Sequence, residues 1–343
     1  MRILHVLNSN KYSGAENVVC QIIKMFADDP GYEMAYCSRD GEIRRVVESK
    51  GMRFLPIGDL SKSEIKRIID EYKPDIIHAH DFRASMTCAR FSKSTPVISH
   101  LHNNAPWLKR FGLKSIAYGS SCKKYAKILT VSNSVFDEFI FGKRFANKEL
   151  CVGNPIDVQS IRAVGDVDNR ELKYDVCFCG RLVEQKNPEF FVEVIAALPQ
   201  TVKAIMIGDG DLKDAVNRLI KEKSLSDRIE TVGFVDNPYP LIRDSKVMCM
   251  PSRWEGFGLA AVEGLALGVP VVCSGVGGLP TIVNDACGKI CAAKKQYADE
   301  IAKLLSDDEY LAKKSEAATA RADELDNYAE YKSLLEKVYC EVK

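Results

Sequence analysis

The chain has 343 residues, 46% apolar and 28% charged, and its 48 Lys and Arg against 47 Asp and Glu leave a net charge of +1. Such proportions suit a globular protein with apolar mass for about two domains of roughly 150 residues, and the neutral balance gives no global pull toward nucleic acid or membrane. No apolar run reaches the roughly 20 residues that span a bilayer, and the opening MRILHVLNSN is interrupted too soon for a signal peptide, which points to a cytoplasmic protein.

In chain order, RILHVL (2–7), MAYC (34–37), DIIHAH (75–80), PVISHL (96–101) and KILTVS (127–132) predict strands with amphipathic helices between them. From 156 to 173 the rhythm is lost and the composition turns polar, which reads as a linker. It resumes with YDVCFCG (174–180), KAIMIGDG (203–210), IETVGFV (229–235), KVMCMP (246–251) and VPVVCS (269–274), and the tail from 308 to 343 is charged and helical. This βαβ alternation predicts an α/β fold of two tandem Rossmann-like domains with parallel sheets, their carboxyl ends facing an interdomain cleft. The expected bounds are 1–160 and 161–325, with a helix at about 326–343 returning to the first domain. The twelve cysteines lie scattered, many inside apolar runs, and read as reduced core thiols; no C-x-x-C pair suggests structural zinc.

Glycine-bearing turns follow three strands: NSNKYSGAEN with Gly14, CGRLVEQKN with Gly180, and IGDGDL with Gly208. Glycine lets a phosphate approach the backbone, and the helix that follows each turn offers free N–H groups to an anion. None matches the dinucleotide or P-loop pattern. CGRLVEQKN adds Arg181 and Lys186, a fork and a point cation suited to a diphosphate; the plainer reading pairs Arg181 with a structural carboxylate and leaves Lys186 solvated.

The stretch PSRWEGFGLAAVEGLALGVPVVCS (251–274) places Glu263 on the apolar stripe of a helix and Glu255 in the loop before it. Gly256, Phe257, Gly258 and Leu259 lead into that helix with amides that can hold phosphate, and carboxylates accept from sugar hydroxyls. The alternative is Glu263 paired with a buried Arg or Lys.

His78 and His80 in HAHD share one strand face, but with His5 and His100 they show no third metal ligand at a usual spacing. The D-x-D pairs Asp166/Asp168 and Asp209/Asp211 fall in the expected linker and in a glycine turn. Between Asp81 and Asp137 no acidic residue occurs, while Arg83, Arg90, Lys93, Lys109, Arg110, Lys114, Lys123, Lys124 and Lys127 do, with Trp107, Phe111 and Tyr118 among them. This basic region, 83–127, suits an anionic membrane surface, each cation contributing about 1 kcal/mol, or an anionic acceptor; no motif for nucleic acid accompanies it.

CGRLVEQKN, IGDGD, VGFV, PSRWEGFGLAAVEGLALGVPVVCS and GVGGLP together resemble the retaining glycosyltransferase family 4 of GT-B fold, along nearly the whole chain. The resemblance implies an E-x7-E motif in which Glu255 contacts the donor sugar and Glu263 the ribose. It implies that Arg181 and Lys186 hold the diphosphate, that Gly208, Phe234 and Val235 flank the base, that Gly14 nears the phosphates, and that His102 in SHLHNN lies near the reacting sugar carbon. The first domain would bind the acceptor and the second the nucleotide sugar. Two departures stand out: Asn154-Pro155-Ile156-Asp157 replaces NG-V-D, and Thr281 stands where the family has Glu.

The expected function is retaining transfer of a hexosyl unit from a nucleotide diphosphate sugar, UDP-linked by preference, to a hydroxyl acceptor. A lipid-linked saccharide of cell-surface polysaccharide synthesis is the expected acceptor, reached at the inner face of the membrane, with no essential metal or other cofactor. The competing readings are a UDP-N-acetylglucosamine 2-epimerase and a non-catalytic nucleotide-sugar-binding protein.

Overall fold

The computed structural model describes residues 1–92, 94–166 and 169–343, so Lys93 of the basic region and Asp168 of the first D-x-D lie outside the described residues. The chain forms two units, Met1–Pro155 with Asn327–Lys343, and Ile156–Asp326.

The first unit holds β1 (Arg2–Val6), β2 (Glu33–Arg39), β3 (Phe54–Ile57), β4 (Ile76–His80), β5 (Val97–Leu101), β6 (Lys127–Thr130) and β7 (Glu149–Cys151). They form one parallel sheet in the order β3-β2-β1-β4-β5-β6-β7. The second unit holds β8 (Tyr174–Cys179), β9 (Ala204–Ile207), β10 (Ile229–Gly233), β11 (Ser245–Met250), β12 (Val271–Ser274) and β13 (Gly288–Cys291), parallel in the order β10-β9-β8-β11-β12-β13. Alternate residues of its strands serve two cores: Cys177, Met248, Met250 and Cys273 on one face, Val176, Phe178, Val247, Cys249 and Val272 on the other. All twelve cysteines are free, and nine are buried.

Three strands escaped the sequence reading, β3, β7 and β13, and all three are sheet edges. An edge strand is short and half-solvated, so its apolar pattern is weak; β3 even carries Pro56, which an edge tolerates. The stretch read as a linker carries a helix and belongs to the second unit. Asp157 accepts from the Ser160 amide at 2.8 Å and starts the helix Val158–Gly165, while Ile156 and Val158 enter a core. A single turn of apolar spacing among polar residues conceals such a helix. The crossing between units therefore falls at Pro155–Ile156, inside the motif that replaces NG-V-D.

The charged tail is two helices. Asp308–Leu325 places Ala318 and Ala322 in a core of the second unit. Tyr328–Val342 buries Tyr331, Leu335, Val338 and Tyr339 in the first, where Tyr339 bonds His78 and Asn327 donates to the Asn154 carbonyl at 3.1 Å.

Candidate active site

In the second sheet β9 and β10 extend from one side of β8 while β11 returns on the other, so the loops leaving β8 and β11 diverge at their carboxyl ends. A ligand-binding crevice in an open parallel sheet opens at such a switch point. The β8 loop brings Lys186 and the β11 loop brings Glu255, with Lys186 Nζ 2.6 Å from Glu255 Oε2. Ser252 Oγ donates to the same oxygen at 3.2 Å, and the Ser274 hydroxyl in turn donates to the Ser252 carbonyl at 2.6 Å. The two loops are also joined through their backbones. The Arg253 amide donates to the Gln185 carbonyl at 2.8 Å, and Asn187 Nδ2 donates to the Pro251 carbonyl at 3.2 Å.

Glycines permit this closeness. Gly277 has φ +59°, and a Cβ there would sit 1.9 Å from the Glu255 carbonyl oxygen. Gly208, at φ +137°, would put one 2.0 Å from the Gly180 carbonyl oxygen. Gly256 is buried and accepts from the Gly278 amide at 3.1 Å, and Gly258 precedes the helix Leu259–Ala266.

Glu263 lies on that helix and accepts from the Tyr239 hydroxyl at 3.3 Å, and among the described residues no Arg or Lys pairs with it. Burial raises its pKa, against the weaker pull of the Tyr239 bond and the Lys186 charge. The thiol of Cys179, at the end of β8, is pushed up by burial and then by the charge of Glu263. Glu263, Lys186, Glu255 and Cys179 thus gather at one end of the sheet. Arg181 is exposed and forms no ion pair among the described residues. Val235 packs on a core while Phe234 stands 58% exposed. Thr281 donates to the Gly278 carbonyl at 2.7 Å, so its hydroxyl is spent on its own turn. Of the D-x-D residues, Asp209 pairs with Lys213 at 2.7 Å, and Asp166 lies 3.8 Å from Arg243.

The first sheet has its switch point between β1 and β4. After β1, Gly14 opens the helix Gly14–Met25, and beyond its chain neighbours and its own helix no described atom lies within 4 Å of where its Cβ would be. Beside it Ser13 donates to the buried Glu16. After β4, Asp81 holds a left-handed backbone (φ +68°) and accepts from the Ala84 amide at 3.0 Å. Burial lifts its pKa to about 6, opposed by backbone hydrogen bonds and aided by the charge of Glu16. Glu16 and Asp81 were missed in the sequence; the signal available was Asp81 directly following the last residue of a central strand.

His102 follows β5, and its Nε2 lies 2.9 Å from His80 Nδ1. His80 Nε2 is 3.0 Å from His5 Nδ1, while His78 bridges His100 Nδ1 at 3.1 Å and the Tyr339 hydroxyl at 2.9 Å. All five histidines of the chain therefore form one cluster across β1, β4 and the end of β5, and the partners that spacing along one strand did not reveal come from its neighbours. Burial depresses the pKa of each, to about 3 for His5 and His102, which keeps the rings neutral.

The basic region is less uniform than its composition suggests. Lys109 pairs with Glu138 at 2.8 Å and Lys127 with Glu341 at 3.3 Å. Tyr118 is buried against Ser99, and Trp107 packs on Phe82 with ring centres 4.7 Å apart. What remains in solvent is Phe111 (73% exposed) and Leu113 (89%), with Arg83, Arg90, Arg110, Lys114, Lys123 and Lys124 exposed along the same stretch. No helix among the described residues is long and apolar enough to cross a membrane.

Residues 12–159 match the family described as Glycosyltransferase Family 4, and residues 164–321 the family described as Glycosyl transferases group 1. The chain is 25% identical over 299 residues to the O-antigen biosynthesis glycosyltransferase WclY of Escherichia coli, covering 80% of each protein. It is 26% identical over 293 residues, 77% of each, to a Campylobacter jejuni α-1,4-N-acetyl-D-galactosaminyltransferase whose name specifies a saccharide on diphospho-undecaprenol. The structure of Anabaena HepE in complex with UDP-glucose superposes with a TM-score of 0.86 at 20% identity, over 99% of both chains. Two parallel-sheet α/β units, each matched by a glycosyltransferase family, make this protein a GT-B glycosyltransferase of the family 4 type.

Proposed function

We propose that this glycosyltransferase moves a hexosyl unit from a UDP-sugar to a hydroxyl acceptor with retention of anomeric configuration. The observation that carries the reading is the Lys186–Glu255 pair at the β8/β11 switch point, flanked by glycine turns and the start of the helix Leu259–Ala266. The departing diphosphate gains charge as the bond to the sugar carbon breaks. Lys186, the exposed Arg181 and the amides of Gly180 and Gly256–Leu259 are assigned to meet that charge, which lowers the barrier electrostatically without a metal. Both present contacts to Glu255 fall on Oε2, so Oε1 is the oxygen offered to a sugar hydroxyl. Glu263 takes the ribose, Gly208, Phe234 and Val235 the base, and by family resemblance Gly14 takes phosphate and His102 the sugar. The new bond forms on the face the phosphate leaves, the acceptor proton passes to that phosphate, and no side chain acts as nucleophile.

UDP is favoured because HepE holds UDP-glucose on this fold, and a lipid-linked saccharide because the Campylobacter relative is named for one. Phe111 and Leu113, exposed amid cations, support docking at the anionic inner face of the membrane. The test screens nucleotide sugars by thermal shift, since a ligand of the folded state raises its melting temperature. Transfer by wild type, Lys186→Ala and Glu255→Ala is then assayed with the donor found and diphospho-undecaprenol-linked acceptors. Near-normal rates in both variants would overturn the site, an inverted product would overturn retention, and epimerised sugar formed without acceptor would mark the epimerase instead.

A further inference from the structure

We infer that His80, His100 and His102 form a site for a divalent transition-metal ion of the zinc and cobalt class, in the first unit. One ring nitrogen from each lies within 4.8 Å of those of the other two. His80 Nδ1 and His102 Nε2 already face each other at 2.9 Å, and tetrahedral ligation at about 2.0–2.1 Å per bond asks them to part by only a fraction of an ångström. His100 supplies Nε2, a buried nitrogen with no hydrogen-bond partner. Buried polar atoms are almost always paired, and this orphan nitrogen, like His5 Nε2 and His102 Nδ1 of the same cluster, calls for a partner that the protein does not supply.

The other two histidines then acquire a purpose. A metal-bound imidazole holds its orientation by donating its remaining N–H to a neighbour. With the ion on His80 Nδ1, Nε2–H donates to His5 Nδ1; with it on His100 Nε2, Nδ1–H donates to His78 Nε2, and His78 Nδ1–H to the Tyr339 oxygen. Three ligands and two orienting imidazoles thus give each of the five rings a part, with His102 Nδ1 and His5 Nε2 left without a protein partner, and burial keeps the rings in the neutral form that binds metal. A set of three neutral histidines leaves a fourth position open to water or another ligand. His102 is the one member of the triad that is not fully buried, and gives the ion its way in. Filling the site takes a nitrogen of His102, so the ion opposes the transfer proposed above; its binding does not depend on that reading.

The test uses the full chain without a histidine tag, stripped with chelator and titrated with Co²⁺ alone. Because every histidine lies in the cluster, imidazole-bound cobalt reports on it, and binding to cysteine is set apart by its sulfur charge-transfer band. The expected result is about one cobalt per chain with the visible bands of a tetrahedral nitrogen site, displaced by Zn²⁺. His100→Ala should weaken binding by about 100-fold or more, and His78→Ala by about 10–100-fold. Histidine NMR resonances of the wild-type chain, shifted or broadened across the whole cluster by one Co²⁺, give the same answer without any variant. No histidine-bound cobalt, or bands unchanged in a folded His100→Ala protein, overturns the site.

Discussion

Lys186 and Glu255 are 69 residues apart, yet their charged atoms lie 2.6 Å apart, with the two side chains only 17% and 9% exposed. Removing one member strands the other where water barely reaches, at a cost of about 3–5 kcal/mol. Lys186→Ala should therefore lower both the thermal midpoint and kcat/KM, the latter by about 100-fold or more. The double variant Lys186→Met/Glu255→Gln should recover much of the stability and none of the rate. A double variant that regained activity would show the pair to be scaffolding.

Glu263 gives a prediction opposite in sign. Its pKa is higher folded than unfolded, so between those two values the folded chain binds more protons, and stability falls as pH rises through that window. At neutral pH Glu263→Gln should melt higher than wild type, and the gain should vanish on acidification below the ordinary glutamate range. The same variant should bind UDP more weakly. Thermal melts across pH with UDP titration check both halves.

Gly277→Ala and Gly14→Ala separate folding from ligand approach. At Gly277 a methyl meets the Glu255 carbonyl at positive φ, and a loss of about 1–3 kcal/mol is expected, with activity falling as the loop shifts. At Gly14 the space is open, so stability should stay within about 0.5 kcal/mol while the KM for donor rises. Denaturant melts and steady-state kinetics on the two variants decide it.

Phe111 and Leu113 are largely exposed, and Phe111 gives up only an edge contact with Phe141, so Phe111→Ser/Leu113→Ser should lower stability by about 1 kcal/mol at most. Inserting each side chain into lipid is worth about 1.5–3 kcal/mol, so partition onto anionic vesicles should fall by about tenfold or more. Equal sedimentation of variant and wild type with phosphatidylglycerol vesicles would refute membrane docking by this edge.

The βαβ rhythm was legible because central parallel strands are buried on both faces and read as apolar runs; β1, β4, β5, β8 and β11 were all found that way. Glu263 was legible because a carboxylate on an apolar stripe breaks the pattern that surrounds it. The edges β3, β7 and β13 were not, since half-exposed strands carry little pattern. The histidine cluster was hidden for a different reason. Its members are contributed by β1, β4 and the end of β5, as far apart as His5 and His102, and only sheet register brings them together. Composition likewise overstated the basic face, because Glu138 and Glu341, which neutralise Lys109 and Lys127, lie beyond the stretch that lacks acids.

The first unit is discontinuous: its sheet is complete by Cys151, but Tyr331, Leu335, Val338 and Tyr339 join it only after all of the second unit has been made. On a ribosome the half that begins first is finished last. The nascent first unit must wait with His78 lacking the hydroxyl of Tyr339 and with the apolar seat of the last helix bare, while the contiguous second unit can close as soon as Asp326 emerges.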